Sequence, residues 1–256
     1  MPASLQSVVP GRAPDAVAAP VPATGQPLSN AEFGAVQADT ERAFNDLLRM
    51  GLTVHVEHDF EAFAHYRSGV GDRLVNPSFD PACCRIGPSD FWLRVVDDSG
   101  QTVATTATRI FVDVDNFYQL MRSGRLWGDR LLRVVDRCET ECSVPAFGGV
   151  IGYWGGMWVD PAQRGRGLAK LVPELQRGLM LRNNAIDFET GLVFEPLVAL
   201  ALRQYQFARV ELVVDGYFPP TRKPTRVFLC HMDRRELLRL VGFAAGDDAE
   251  PMSAVA

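Results

Sequence analysis

Four residues, Arg164-Gly165-Arg166-Gly167, are the part of this chain best suited to chemistry. Glycines at 165 and 167 let the backbone curl around a guest with no Cβ in the way. Arg164 and Arg166 add positive charge at the rim. Directly after them, Leu168, Leu171, Val172, Leu175 and Leu179 recur as one face of a helix. The first turn of that helix supplies unpaired N–H groups and the positive end of the helix dipole. A phosphate or pyrophosphate suits such a turn. The spacing is neither that of a Walker loop nor G-x-G-x-x-G, so those nucleotide motifs are absent.

Other reactive residue types point nowhere so definite. His55, His58 and His65 invite a metal, but on a strand His55 and His58 face opposite sides, and no carboxylate-and-cysteine pattern accompanies them. Cys138 and Cys142 lack a second ligand pair, and the adjacent Cys83 and Cys84 read as ordinary thiols. No metal is expected. There is no G-x-S-x-G elbow, H-E-x-x-H helix or EF-hand loop. Arg222, Lys223 and Arg226 are expected to face water.

The anion turn needs a strand before it and a helix behind it. Val150 to Val159 is aromatic and β-branched, and Asp160-Pro161 stops it. Residues 1–27 are small and Pro-rich and are expected to be disordered. A helix should start at Ser29 or Asn30, bury Phe33, Val36, Phe44, Leu47 and Leu48, and stop at Gly51. A strand over 52–57 and a helix over 59–66 follow. Phe91–Val96 and Thr102–Val112 form a hairpin around Asp97-Asp98-Ser99-Gly100-Gln101. Residues 113–147 read as an insertion, with a helix at 116–127 and a piece at 131–135. Beyond the central helix come a strand at 188–194, a helix from Glu195 to Tyr205, strands at 211–215 and 225–232 around a Gly-Tyr-Phe-Pro-Pro turn, and a helix at 233–241. The expected organisation is one mixed α/β domain over 28–243 with a loose tail at 244–256.

Composition narrows the partners. A formal net charge of −5 argues against a general nucleic-acid binder, and no apolar run is long enough for a membrane span. Five cysteines in no regular framework and the lack of a secretory signal lead us to expect reduced thiols and a cytoplasmic protein.

The run V-D-P-x-x-R-G-R-G-L-A, Val159 to Ala169, resembles the coenzyme A pyrophosphate loop of the GNAT N-acyltransferase superfamily, whose signature Q/R-x-x-G-x-G/A is met by Arg164, Gly167 and Ala169. The motif covers about ten residues, and the order of elements extends the likeness over roughly 52–232. The resemblance implies an α/β (α+β) fold with a mostly antiparallel central sheet flanked by helices and splayed at the coenzyme strand. It implies acetyl transfer from acetyl-CoA to an amine by direct attack, or alternatively an acyl-CoA-binding sensor module without catalysis. A longer acyl donor is a third reading. The backbone of Arg164, Gly165, Arg166, Gly167, Leu168 and Ala169 would hold the pyrophosphate, and Trp158 and Val159 would line the pantetheine arm and acyl carbonyl. Glu195, or Asp160, would be the base, although each also has a capping or turn role available. The family's acid is the tyrosine of Y-x-x-x-G-F. With Phe207 as its phenylalanine, Gln206 holds the glycine position and Leu202 the tyrosine position, so Tyr205 is the candidate in its stead. Pro173 departs from the pattern and should kink the helix. The 113–147 insertion is expected to wall the acceptor side. The partners implied are acyl-CoA and an unidentified amine, with no nucleic acid or membrane and with a homodimer left open.

Overall fold

The computed structural model describes residues 25–71, 76–128, 146–218, 221 and 223–243. The expectations for most of the two tails, for 131–135, and for Cys138, Cys142 and Arg222 lie outside the described residues. Gly25 is held in place: its N–H donates to both carboxylate oxygens of Asp187 at 3.1 Å.

Local chemistry sets the first elements. Ser29 caps α1 (Asn30–Arg49) in a full capping box with Glu32. Asp97 closes the hairpin between β2 (Phe91–Val96) and β3 (Thr102–Val114) by accepting the N–H groups of Ser99 and Gln101, each at 3.0 Å. Asp59 caps α2 (Phe60–Gly69), which follows β1 (Thr53–Glu57).

α1 does not bury the whole expected stripe. Val36, Thr40, Ala43 and Leu47 face inward, whereas Phe33, Phe44 and Leu48 stay 43%, 37% and 46% exposed. The reason is a narrow crossing with α4 (Leu168–Asn184): a Cβ on Gly178 would lie 2.1 Å from Thr40 Oγ1, so the two backbones approach along one thin seam. With α1 outside and the sheet inside, α4 is buried from Val172 to Leu181 and spans Pro173 without a break.

The expected helix at 116–127 is shorter: α3 (Phe117–Arg122) ends before Gly124, whose φ of 80° starts a separate 3-10 turn at Arg125–Trp127. Likewise, Pro196 sits in a 3-10 turn, Glu195–Leu197, ahead of a short α5 (Val198–Arg203). The last two strands run longer than expected, β6 over Arg209–Phe218 and β7 over Lys223–Asp233, so Gly216 to Phe218 are strand and not turn. Asp233 and Glu236 form a capping box on α6 (Arg234–Leu240).

With β4 (Gly149–Val159) and β5 (Phe188–Phe194), the seven strands form one sheet in the order β1-β2-β3-β4-β5-β7-β6. Every neighbouring pair is antiparallel except β4–β5. α4 is the crossover that a parallel pair requires. An aliphatic-rich core fills the face under α1, α4 and α6, and the opposite face is rich in aromatic rings, among them Phe63, Phe79, Trp92, Phe117 and Tyr153. This is the mixed, mostly antiparallel sheet flanked by helices that the resemblance implies.

Candidate functional site

The turn after β4 is built by its own backbone. Asp160 donates its N–H to Val103 O at 2.8 Å and accepts from Ala162 N at 2.7 Å, which starts a 3-10 turn over Pro161–Gln163. Gly165 and Gly167 have φ of 81° and 86°, with open space where a Cβ would stand. Backbone handedness, not crowding, is what calls for glycine here. The N–H groups of Lys170 and Leu171 both point back to Gly167 O, at 3.0 and 3.1 Å. Among the described residues, the N–H groups from Gly165 to Ala169 donate to no protein acceptor, and α4 has no side-chain cap. Five donors at a helix N-terminus make a site for an anion.

The two arginines divide their work. Arg164 Nε donates to Val159 O at 3.4 Å and leaves its head in solvent. Arg166 turns away from the rim, donating to the Gln163 side chain and, at 3.0 Å, to Met50 O at the C-terminus of α1. Its guanidinium therefore ties the turn to α1. Leu168 is buried as an anchor and Ala169 packs partly against the core.

Beside this turn the sheet opens. β4 and β5 pair from Ile151↔Phe188 to Trp154↔Gly191 and no further, although β4 continues to Val159 and β5 to Phe194. On its other edge β4 stays with β3 through a bulge: Thr105 pairs with Trp158 and Ala107 with Gly155, so Gly156 and Met157 together face Thr106. Gly156 has φ of 61°, and a Cβ there would lie 2.7 Å from Phe63 Cζ. The resulting cleft has a volume of about 1020 Å³ including its open mouth. One wall is Trp154 to Met157; the other is Gly191 to Phe194 with Leu197. Tyr205 and Phe207 close one end, and Phe63, Arg67 and Asn76 the other.

The sequence candidates divide accordingly. Tyr205 lines the cleft, 7% exposed, with its ring edge-on to Trp154 at 5.0 Å. Burial, reinforced by the Cys230 thiol, pushes its phenol up to about 12, so it holds its proton at neutral pH. Glu195 lies outside the lining. Its carboxylate is paired with Arg226, which also reaches Asp215 at 3.5 Å. Asp160 is occupied as a cap, and Leu202 is exposed. Trp158 and Val159 sit past the cleft, Trp158 edge-on to Tyr66 at 5.7 Å. Trp154, Gly155, Gly156 and Met157 line it in their place. Sequence reasoning missed them, although paired glycines inside a strand are a bulge signal.

A buried ion pair lies under the cleft. Arg177 of α4 meets Glu189 of β5, Nε to Oε2, at 2.5 Å, and Glu189 Oε1 accepts the Trp154 indole N–H at 2.7 Å. Among the described residues no group of three or more His, Cys, Asp or Glu side chains could hold a metal, and no helix is long and apolar enough to cross a membrane. His58 Nδ1 lies 2.8 Å from Asp90 O, and His65 is exposed.

No protein-family model and no curated protein matches the sequence. Solved structures resemble it, among them several N-acetyltransferases. NAA60 of Arabidopsis thaliana in complex with acetyl-CoA is 12% identical, with 72% of this chain and 98% of that chain covered at a TM-score of 0.43. A GCN5-related N-acetyltransferase from Kribbella flavida is 15% identical, covering 72% and 99% at 0.42. A spermidine/spermine N-acetyltransferase of Vibrio cholerae is 8% identical, covering 75% and 98% at 0.46.

Proposed function

We propose that this protein is an acyl-CoA-dependent N-acyltransferase, in the simplest case moving an acetyl group from acetyl-CoA to an amine. One observation carries the reading: a parallel strand pair parts directly beside a turn of five unpaired N–H groups. A pyrophosphate on that turn leaves a linear arm free to enter the gap, where a thioester would meet an amine from the far side.

In this reading the N–H groups of Gly165 to Ala169 and the charge of Arg164 bind the pyrophosphate. Arg166 holds the turn in shape through α1. Trp154 to Met157 orient the thioester in the gap. As the amine nitrogen bonds to the carbonyl carbon and the C–S bond breaks, Tyr205, protonated at neutral pH, gives its phenolic proton to the leaving thiolate and regains one from solvent. Among the sequence's candidates for a base, Glu195 is not in the cleft lining and is held by Arg226, so we propose that the amine proton leaves to solvent.

The test is thiol release from acetyl-CoA against a panel of amines, including polyamines, amino acids and arylamines. Turnover with at least one of them is expected, with kcat about 10²-fold lower in Tyr205→Phe and acetyl-CoA affinity unchanged. Saturable acetyl-CoA binding with no turnover by any amine would replace the enzyme with the sensor reading. No binding of any acyl-CoA would remove both.

A further inference from the structure

The geometry points to Arg177 and Glu189 as positioning residues that hold two lining residues of the cleft, Trp154 and Tyr205, in a fixed mutual arrangement. This inference rests on the transferase reading of the cleft and adds to it the part that sets the acid's place.

The two side chains are only 3% and 1% exposed and form a fork: Arg177 Nε to Glu189 Oε2 at 2.5 Å and Nη2 to Oε1 at 3.1 Å. Each partner also reaches one of these two residues. Glu189 Oε1 accepts the indole N–H of Trp154 at 2.7 Å, and Arg177 Nη2 donates to the carbonyl of Tyr205 at 2.8 Å. Four elements thus meet at one charge pair: α4, which begins at the anion turn, then β5, β4 and the segment after α5.

That last segment needs the support. α5 ends at Arg203, Gln206 takes φ of 58°, and Tyr205 lies between them outside regular structure. Its own backbone is tied to α5 by one bond, N–H to Leu200 O at 3.3 Å. Ring contacts with Trp154 set its distance, but an edge-on contact at 5.0 Å leaves rotation loosely determined. The Arg177 bond fixes the peptide from which the phenol projects. A buried ion pair adds little net stability over an apolar pair of similar volume, so its contribution here is direction. An acid displaced by an ångström loses much of its effect while the substrate still binds.

The experiment uses the full chain with Arg177→Met plus Glu189→Leu, which exchanges the pair for apolar groups of similar volume, and Arg177→Lys, which keeps the charge but not the fork. Unfolding curves establish that each variant folds. Expected is a fall in kcat of at least tenfold for the double variant and fivefold for Arg177→Lys, with acetyl-CoA affinity held within threefold. Trp154 emission, taken as the difference from Trp154→Phe backgrounds, should shift in the double variant as its acceptor is lost. A folded variant with kcat within twofold of wild type would overturn the inference, as would kcat and affinity falling in proportion. If the double variant does not fold, Arg177→Lys decides alone by the same limits. A wild type without turnover would end the transferase reading only, and unchanged Trp154 emission in the folded variants would then end this one.

Discussion

Replacing Gly167 with Asp separates binding at the anion turn from folding. No atom lies within 4 Å of a Cβ at this position, so the side chain fits, and the backbone cost comes from φ of 86° alone. A non-glycine residue in left-handed conformation costs roughly 1–2 kcal/mol, with Asp among the more tolerant. A carboxylate at the N-terminus of α4 returns about 0.3–1 kcal/mol. The net is about 1 kcal/mol, a fall in Tm of roughly 2–4 °C for a domain of this size. Binding should suffer far more. The new carboxylate sits beside the N–H groups of Leu168 and Ala169, which make no protein hydrogen bond, and takes them from the ligand. Two charge-assisted hydrogen bonds at about 1.5–3 kcal/mol each amount to ~3–6 kcal/mol, or 10²- to 10⁴-fold in Kd at about 1.4 kcal/mol per decade. Isothermal titration of acetyl-CoA beside thermal unfolding measures both quantities. Gly167→Asn, with the same shape and no charge, should share the small Tm change and lose less affinity. A folded Asp variant that binds within threefold of wild type would show that the ligand does not use this turn.

Two further predictions concern the frame. Gly178→Ala places a methyl 2.1 Å from Thr40 Oγ1 and should destabilise by about 1–3 kcal/mol through separation of α1 and α4. Adding Thr40→Ala should recover part of it, with a coupling of at least about 1 kcal/mol in a urea double-mutant cycle; strict additivity would mean the crossing is not tight. The second is loss of stability in alkali. Burial pushes the Cys84 thiol up to about 11, and burial with nearby Glu189 pushes Cys230 to about 12, as burial with Cys230 does for Tyr205. Each acid is neutral in the fold and ionises first in the unfolded chain. Stability is therefore complete below about pH 9 and declines as pH climbs toward 12. Cys230 alone, raised by about three units from 9, contributes on the order of 4 kcal/mol to that decline. Urea midpoints from pH 8 to 11 should fall, less steeply in Cys230→Ala, and a flat profile would contradict the burial of these groups.

What the sequence made legible was local. Asp160-Pro161, the two glycines and the amphipathic run specify strand, turn and helix within thirty-odd residues, and the hairpin at Asp97 to Gln101 is equally self-contained. The cleft wall was harder because it depends on register. The bulge puts Gly156 and Met157 where one residue would otherwise sit, so the lining moves from Trp158 and Val159 back to Trp154 to Met157. Nothing in β4 alone shows which strand claims which part of it. Glu195 illustrates the same limit: its engagement with Arg226, 31 positions and one intervening strand away, follows from the Phe194↔Val227 pairing of β5 with β7. In α1, periodicity gave a helix with an apolar side but not the width of the seam, which Gly178 decides from another element.

The gap between β4 and β5 belongs to the fold and does not wait for a ligand. Past Trp154, β4 stays paired with β3, to Ala104↔Val159, while β5 stays paired with β7, to Phe194↔Val227. Each strand is thus held by its outer neighbour where the inner pairing stops. Aromatic packing keeps the two apart on both faces. On the α4 side Phe207 stacks on Trp154, 5.7 Å between centroids and 10° from parallel, over Gly191, where a Cβ would lie 3.3 Å from Trp154 O. On the other side Phe63 and Phe79 occupy the space of side chains that Gly156 and Gly155 lack. A bulge raises local twist, and here it falls just past the last β4–β5 pair, where these rings fill in. Closing the gap would break two ladders and unstack the rings, so an acyl-CoA arm would enter a cleft already formed and would spend little of its binding energy on ordering the protein.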